Sequence, residues 1–183
     1  MAIPVLETKR LILRRWQEGD LEPFAAMGSD SRVMKFFPKL LSREECAAGI
    51  ARIEHRFESE GFGFWALERK GDGAFLGFTG LSRPNFDAPF MPCVEIGWRL
   101  AFSYWGQGYA TEAAQASLAY AFDTLALREV VSFTAKGNRR SRNVMERLGM
   151  KYDPFADFDH PGVPDGHPVK PHVLYRVQVG QTV

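Results

Sequence analysis

Two glycines, Gly106 and Gly108, flank Gln107 just before a stretch of helical periodicity that opens at about Ala110. A turn with so little side-chain cover leaves backbone N–H groups bare, and the following helix adds the positive end of its dipole. Together they attract a phosphate. Gly-x-Gly alone is a weak signal, and its sequel excludes two other phosphate motifs. A dinucleotide fingerprint needs a third glycine where Thr111 stands, and a P-loop needs a Gly-Lys-Ser/Thr ending that is absent. Further along, Arg139, Arg140 and Arg142 crowd the first turn of a second predicted helix, where cations oppose the dipole. A nearby anion, met also by Lys136, relieves that; a solvated basic turn offset by an Arg142–Glu146 pair is the competing explanation. Upstream, Glu95 stands two residues before Gly97 on a strand leading into the turn. It is a candidate proton acceptor or a structural carboxylate with a basic neighbour. Ser141 can bond locally in the first turn of the second helix, and Asn138 can cap it.

These residues need a frame. Leu11 and Leu13 alternate with polar neighbours across Thr8 to Trp16, a first strand ended by Gly19-Asp20. Leu21, Phe24, Ala25 and Met27 carry a short helical stripe, and Ser42 with Glu45 forms a capping box opening a helix of about Arg43 to Ser59. Phe62 to Glu68 and Phe75 to Leu81 read as strands around a Lys70-Gly71-Asp72-Gly73 turn. Val94, Ile96, Trp98 and Leu100 alternate along a fourth strand; Ala110, Ala113, Ala114, Ser117, Leu118, Ala121, Phe122 and Leu125 trace one helix face. Glu129 to Thr134 is a fifth strand, and Asn138 to Leu148 a helix closed by Gly149. Strand, helix, strand, helix predicts a locally parallel pair. Asp153 to Pro171 holds five of the eleven prolines and no apolar period, so it reads as a long loop, and His172 to Val179 as a closing strand. His160, His167, His172, Asp157, Asp159 and Asp165 match no standard metal spacing, so no metal is expected, and the loop is expected to shape a pocket. Phe62, Phe64, Trp65 and Phe86 line that pocket or fill the core.

Length allows one domain, expected over 1–183. With 45% hydrophobic and 25% charged residues the chain reads as globular rather than disordered, and a formal net charge of +1 gives no field favouring nucleic acid or an anionic membrane. Cys46 and Cys93 are too far apart for redox or metal spacing, which suits a reducing compartment. The N-terminus lacks a signal-peptide core and no run reaches membrane-spanning length, so the expected setting is the cytoplasm.

Taken in order, Leu-Glu-Thr-Lys-Arg-Leu-Ile-Leu-Arg, Phe-Leu-Gly-Phe-Thr-Gly-Leu, Glu-Ile-Gly-Trp, Trp-Gly-Gln-Gly-Tyr-Ala-Thr-Glu-Ala, Asn-Arg-Arg-Ser and Glu-Arg-Leu-Gly-Met cover most of the chain. This series resembles the GNAT superfamily of acetyl-CoA-dependent N-acetyltransferases, most closely its RimJ/RimL branch of ribosomal-protein N-terminal acetyltransferases. The resemblance implies a single α/β domain with a mixed, mainly antiparallel sheet of about seven strands flanked by about four helices, splayed near 94–100 and 129–134. It implies acetyl-CoA as cosubstrate, its pyrophosphate on the amides of Trp105, Gly106, Gln107, Gly108, Tyr109, Ala110 and Thr111. Trp98, Arg99 and Leu100 would pair with the pantetheine amides, with Asn138, Arg140 and Ser141 near the cofactor. Ser103 departs from the family's usual Arg or Gln before the glycines, which backbone binding tolerates.

On that resemblance Glu95 is the base, acting through water, a strand amide near Leu100 meets the oxyanion, and the usual tyrosine acid is replaced by Met145, leaving Ser141 as the nearest hydroxyl. A base matters most for lysine, whose amine near 10.4 costs about 4–5 kcal/mol to deprotonate at pH 7. Neither cysteine sits in a nucleophile setting, so direct attack in a ternary complex is expected. The acceptor is a primary amine, either a protein N-terminus or a small molecule, and a homodimer is compatible with the reading. A non-catalytic acyl-CoA sensor or an interaction protein on the same fold is the rival.

Overall fold

Alternating apolar side chains and short turns make the front of the chain a run of antiparallel strands, and the computed structural model, which describes residues 4–180, shows how they join. The strands are β1 (Leu6–Glu7), β2 (Leu11–Arg14), β3 (Phe64–Arg69), β4 (Phe75–Ser82), β5 (Glu95–Leu100), β6 (Glu129–Ala135), β7 (Lys151–Asp159) and β8 (Pro171–Gln178). They form one sheet in the order β1-β2-β3-β4-β5-β6-β8-β7. Four helices pack on it: α1 (Leu21–Ser29), α2 (Arg43–Glu60), α3 (Tyr109–Ala119) and α4 (Arg139–Arg147). The expected α/β architecture is present, with eight strands among the described residues instead of about seven.

The first predicted strand, Thr8 to Trp16, is shortened to β2, and the additional strand β1 precedes it across a turn in which the Thr8 N–H donates to the Leu11 carbonyl at 2.9 Å. The second difference is β7, which occupies part of the stretch expected to be loop. It is an edge strand whose pairing with β8 shifts register between Asp153 and Phe158, and its Phe155 is 99% exposed. Such a strand needs no apolar alternation and tolerates Pro154, so the period-two signal is missing where the strand exists.

Every neighbouring pair is antiparallel except β5 and β6, which the α3 crossover makes parallel. That pair registers at Glu95 opposite Val131 and nowhere else. The Val131 N–H donates to the Val94 carbonyl at 3.0 Å and the Ser132 hydroxyl to the Ile96 carbonyl at 2.9 Å. Beyond these two bonds the strands part, which is the expected splay. On the other side β4 closes tightly on β5: a Cβ at Gly77 (φ 138°) would lie 2.1 Å from the Arg99 carbonyl oxygen, so only glycine fits.

The caps follow the sequence. Ser42 and Glu45 make the capping box of α2, Asn138 accepts from the Ser141 N–H at the start of α4, and Gly149 follows α4 at φ 78°. Ala113, Ala114 and Leu118 of α3 are fully buried against the sheet. The small alanines let helix and strands approach closely, and α3 ends in a π-helical turn over Tyr120–Thr124.

Candidate active site

The glycine turn is held from behind. Arg10 donates through Nη1 to the Gln107 carbonyl at 3.0 Å and through Nε to Glu112 at 2.6 Å, and its guanidinium stacks on the Tyr109 ring at 4.3 Å. Glu112 also accepts from the Thr8 hydroxyl at 2.6 Å and the Arg10 N–H at 2.8 Å. Burial opposes the charge on Glu112, but these bonds outweigh it and hold the carboxyl below its ordinary range. Gly106 and Gly108 take φ of 75° and 81°, and a Cβ at Gly106 would meet nothing within 4 Å, so backbone conformation alone calls for glycine there. The first α3 bond runs from the Glu112 N–H to the Gly108 carbonyl at 3.0 Å, leaving the N–H groups of Tyr109, Ala110 and Thr111 without a carbonyl a turn before them. Those of Gly106, Gln107 and Gly108 donate to nothing else among the described residues. A bare concave run of amides at a helix N-terminus fits a pyrophosphate.

The edge of β5 facing the gap is readable from its bonds. The Ala101 N–H donates to the Leu76 carbonyl at 2.9 Å, so by alternation Arg99, Gly97 and Glu95 bond to β4, while Leu100, Trp98 and Ile96 turn toward β6. Two carbonyls on this edge are already taken: that of Ile96 by Ser132, and that of Leu100 by the Trp105 indole Nε1 at 2.8 Å. Of the three residues expected to pair with pantetheine, Trp98 keeps both backbone groups open to the gap and Leu100 its N–H, whereas the Arg99 backbone belongs to the β4–β5 ladder.

Glu95, Gly97 and Arg99 share one face, together with Phe78 and Phe64 by register. Phe24 of α1 lies 5.9 Å from the Phe78 ring and Arg56 of α2 donates to Ser82 at 2.6 Å, so α1 and α2 cover this face while α3 packs on the other. Glu95 is half-buried beside the β5–β6 bridge. Loss of solvation there raises its pKa to about 7 against the opposing influence of Arg56 and Ser82. Gly97 does not leave empty room: a Cβ there would touch the Phe64 ring at 3.2 Å. The gap thus has two sides, with the glycine turn and α4 toward the α3 face and Glu95 toward the α1–α2 face.

At α4 the cap and the candidate hydroxyl form one network. Asn138 Oδ1 accepts from the Ser141 N–H at 3.3 Å, and its Nδ2 donates to Thr134 at 2.9 Å and to the Ser141 hydroxyl oxygen at 3.2 Å. Ser141 therefore accepts from Asn138 and retains its own proton to donate. The Arg140 guanidinium stacks on Trp105 at 4.8 Å, which brings this cation beside the glycine turn. Arg142 is directed elsewhere, to the Tyr175 hydroxyl at 3.0 Å and the Lys136 carbonyl at 3.3 Å. Tyr175 in turn donates to Glu146 at 3.2 Å, so the expected Arg142–Glu146 pair is bridged and not direct. Met145 is 1% exposed and packs in the core, with neither an acidic proton nor access to the gap.

Residues 10–151 match the family model described as the acetyltransferase (GNAT) domain. The chain belongs to the GNAT acetyltransferases. It is similar to the FsC-acetyl coenzyme A-N(2)-transacetylase of Aspergillus fumigatus, 31% identical over 90% of this chain and 74% of that one. The uncharacterized N-acetyltransferase YnaD of Bacillus subtilis is 29% identical over 82% of this chain and 84% of its own. Among solved structures, the acetyltransferase from Agrobacterium tumefaciens superposes with a TM-score of 0.77 at 28% identity, over 97% of this chain and 96% of that one. The protein is thus an N-acetyltransferase of a family that uses acetyl-CoA, and the bare amides at the glycine turn suit that cosubstrate.

Across the gap, this acetyltransferase carries a wall of aromatic rings. Glu95 opposite Val131 puts Phe133 on the Glu95 face, and the pairings of β6, β7 and β8 add His172 and Phe158. Phe86, Phe90 and His160 complete the cluster, with His160 and His172 centroids 4.9 Å apart. Burial lowers the pKa of both histidines, so the wall is uncharged at neutral pH. Among the described residues no group of three His, Cys, Asp or Glu side chains is placed to hold a metal. Of the aromatics named from sequence, Phe62 and Trp65 are core, while Phe64 and Phe86 reach the cleft face. Sequence reasoning assigned no role to Arg10, Thr8 and Glu112, although all three lie inside motifs it quoted. A charged residue in the first turn after a glycine turn was the available signal.

Proposed function

We propose that the protein transfers the acetyl group of acetyl-CoA to a primary amine by direct attack in a ternary complex, with Glu95 as the base. The observation that carries this is the parting of β5 and β6 after the Glu95–Val131 bridge, with bare amides at one end and a carboxyl of pKa about 7 at the other. A carboxyl poised there takes a proton from an ammonium, directly or through water, at physiological pH. The neutral amine then adds to the thioester carbon, the carbonyl oxygen becomes an oxyanion, and the C–S bond breaks as the surplus proton on the nitrogen passes through water to the departing sulfur, giving the amide and free CoA. In this reading the open N–H groups of Trp98 and Leu100 receive the oxyanion, and the Ser141 hydroxyl donates a hydrogen bond to the departing thiolate. Gly106 to Thr111, with Arg140, would hold the pyrophosphate.

Membership of the RimJ/RimL-like branch rests on the Asn138-Arg139-Arg140-Ser141 and Trp105-to-Ala113 motifs. Cytoplasmic location and a homodimer remain part of this reading; no helix among the described residues is long and apolar enough to cross a membrane. Turnover separates it from a non-catalytic acyl-CoA sensor, which the buried Met145 would suit. CoA release from acetyl-CoA, followed with a panel of primary amines, is expected to become amine-dependent and to give the acetylated amine by mass spectrometry. Binding of acetyl-CoA without amine-dependent release would support the sensor.

A further inference from the structure

The fold pairs its other inward-facing arginines. Arg14 bonds Asp20 and Glu68, and Arg176 bonds Glu129 and Asp153. Arg99 has no such partner among the described residues. Its Nε is sealed from solvent with nothing to bond, and the one titratable neighbour that influences its guanidinium is the Cys46 thiol. The guanidinium lies over the Phe37 ring at 4.0 Å and near the Phe78 ring at 5.4 Å. Burial lowers its pKa to about 10, so it keeps its charge at neutral pH.

A half-buried cation without a counterion is costly unless something supplies one, and a guanidinium held flat by rings still presents its edge as a fork that matches a carboxylate. The position tells which ligand brings it. Arg99 leaves β5 on the Glu95 face, opposite α3, so the pyrophosphate site at the α3 N-terminus is on the other side of the sheet. Gly97 lies between Glu95 and Arg99, about 6–7 Å of strand from each. The roof here is the α1–α2 connection. Phe37 covers Arg99, while its neighbour Phe36 reaches across the gap to Gly137 and the Ala135, Val163 and Val169 cluster. A roofed site with a base at one end and an unpaired guanidinium at the other suits a compact ligand carrying both an ammonium and an anion.

We propose that Arg99 binds a carboxylate of the acceptor, so that the substrate is an amino carboxylate whose ammonium is directed toward Glu95 past the Phe64 ring that covers Gly97. This rests on the amine-acetylation reading above and names its substrate class. The same chemistry is offered by a free amino acid and by a peptide with an acidic residue beside its N-terminus.

The test measures kcat and KM for free α-, β- and γ-amino acids against their carboxamides, and for Asp- or Glu-containing peptides against their Asn or Gln counterparts. Acetyl-CoA affinity is followed by calorimetry in parallel. The wild type should favour carboxylates on the order of 10- to 100-fold in kcat/KM, mainly through KM. Arg99→Gln should collapse that ratio and Arg99→Lys restore part of it. A preference confined to one series identifies the source of the carboxylate. Equal use of carboxylate and carboxamide by the wild type, or an Arg99→Gln variant that folds and keeps the ratio, would overturn the proposal. Should no amine be acetylated although acetyl-CoA binds, the reaction assignment fails separately. Thermal stabilisation of the CoA-loaded wild type by the same pairs then decides, and equal shifts for carboxylate and carboxamide would overturn the Arg99 site.

Discussion

Glu95 carries the sharpest residue-level consequences, because its carboxyl is held near pKa 7 chiefly by burial. An ordinary glutamate loses its proton near 4.5, so between roughly pH 4.5 and 7 the folded protein holds a proton that the unfolded chain has released. Stability therefore falls as pH rises through that window, by on the order of 1–3 kcal/mol. Glu95→Gln removes the penalty. The variant should match the wild type in urea unfolding below about pH 4.5 and exceed it above pH 7 by that same order. Its rate should show the opposite preference: the rise in kcat near pH 7 flattens and activity drops about 100-fold or more. A variant with an unchanged pH–rate profile would leave Glu95 a structural carboxylate. Glu112 offers a contrast, since its bonds to Thr8 and Arg10 serve the turn and no proton transfer. Glu112→Ala should cost about 2 kcal/mol of stability and weaken acetyl-CoA binding several-fold, with the shape of the pH profile kept. Calorimetry at two pH values checks both parts.

Among the elements, the β5–β6 junction determines where the sheet opens. The Ser132 hydroxyl ties the last bonded level to the Ile96 carbonyl, inside the protein. Ser132→Ala leaves that carbonyl unpaired and should lower unfolding free energy by about 1–2 kcal/mol, visible as a lower denaturant midpoint at unchanged slope. Legibility in the sequence divides along the same lines. Elements with a strong local signal declared themselves: α2 by its capping box, β3 and β4 by the Lys70–Gly73 turn, β5 by the alternation of Val94, Ile96, Trp98 and Leu100. β7 was unreadable because an edge strand with Pro154 and an exposed Phe155 has no buried face to impose a period. The site divides similarly. Gly106, Gly108, Asn138 and Glu95 could be picked out by type and position. The Arg10–Glu112 brace, the Trp105 indole on the Leu100 carbonyl and the unpaired Arg99 depend on contacts between distant segments, which spacing along the chain does not encode.

At the scale of the whole molecule, two halves of one sheet are joined at a single parallel bridge and roofed by the Phe36–Phe37 connection. Phe36→Ala should loosen that roof, raising KM for the amine several-fold more than it changes affinity for acetyl-CoA, which steady-state kinetics with either substrate varied will show. The division of labour rests on one premise: the gap between the halves, entered at the glycine turn, is where acetyl-CoA sits. Calorimetric titration of acetyl-CoA into the purified protein tests it most directly. Saturable one-to-one binding, competed by CoA and weakened in Glu112→Ala, is the expected result. Absence of saturable binding, or binding indifferent to the loss of Glu112, would contradict the cradle at Gly106–Thr111.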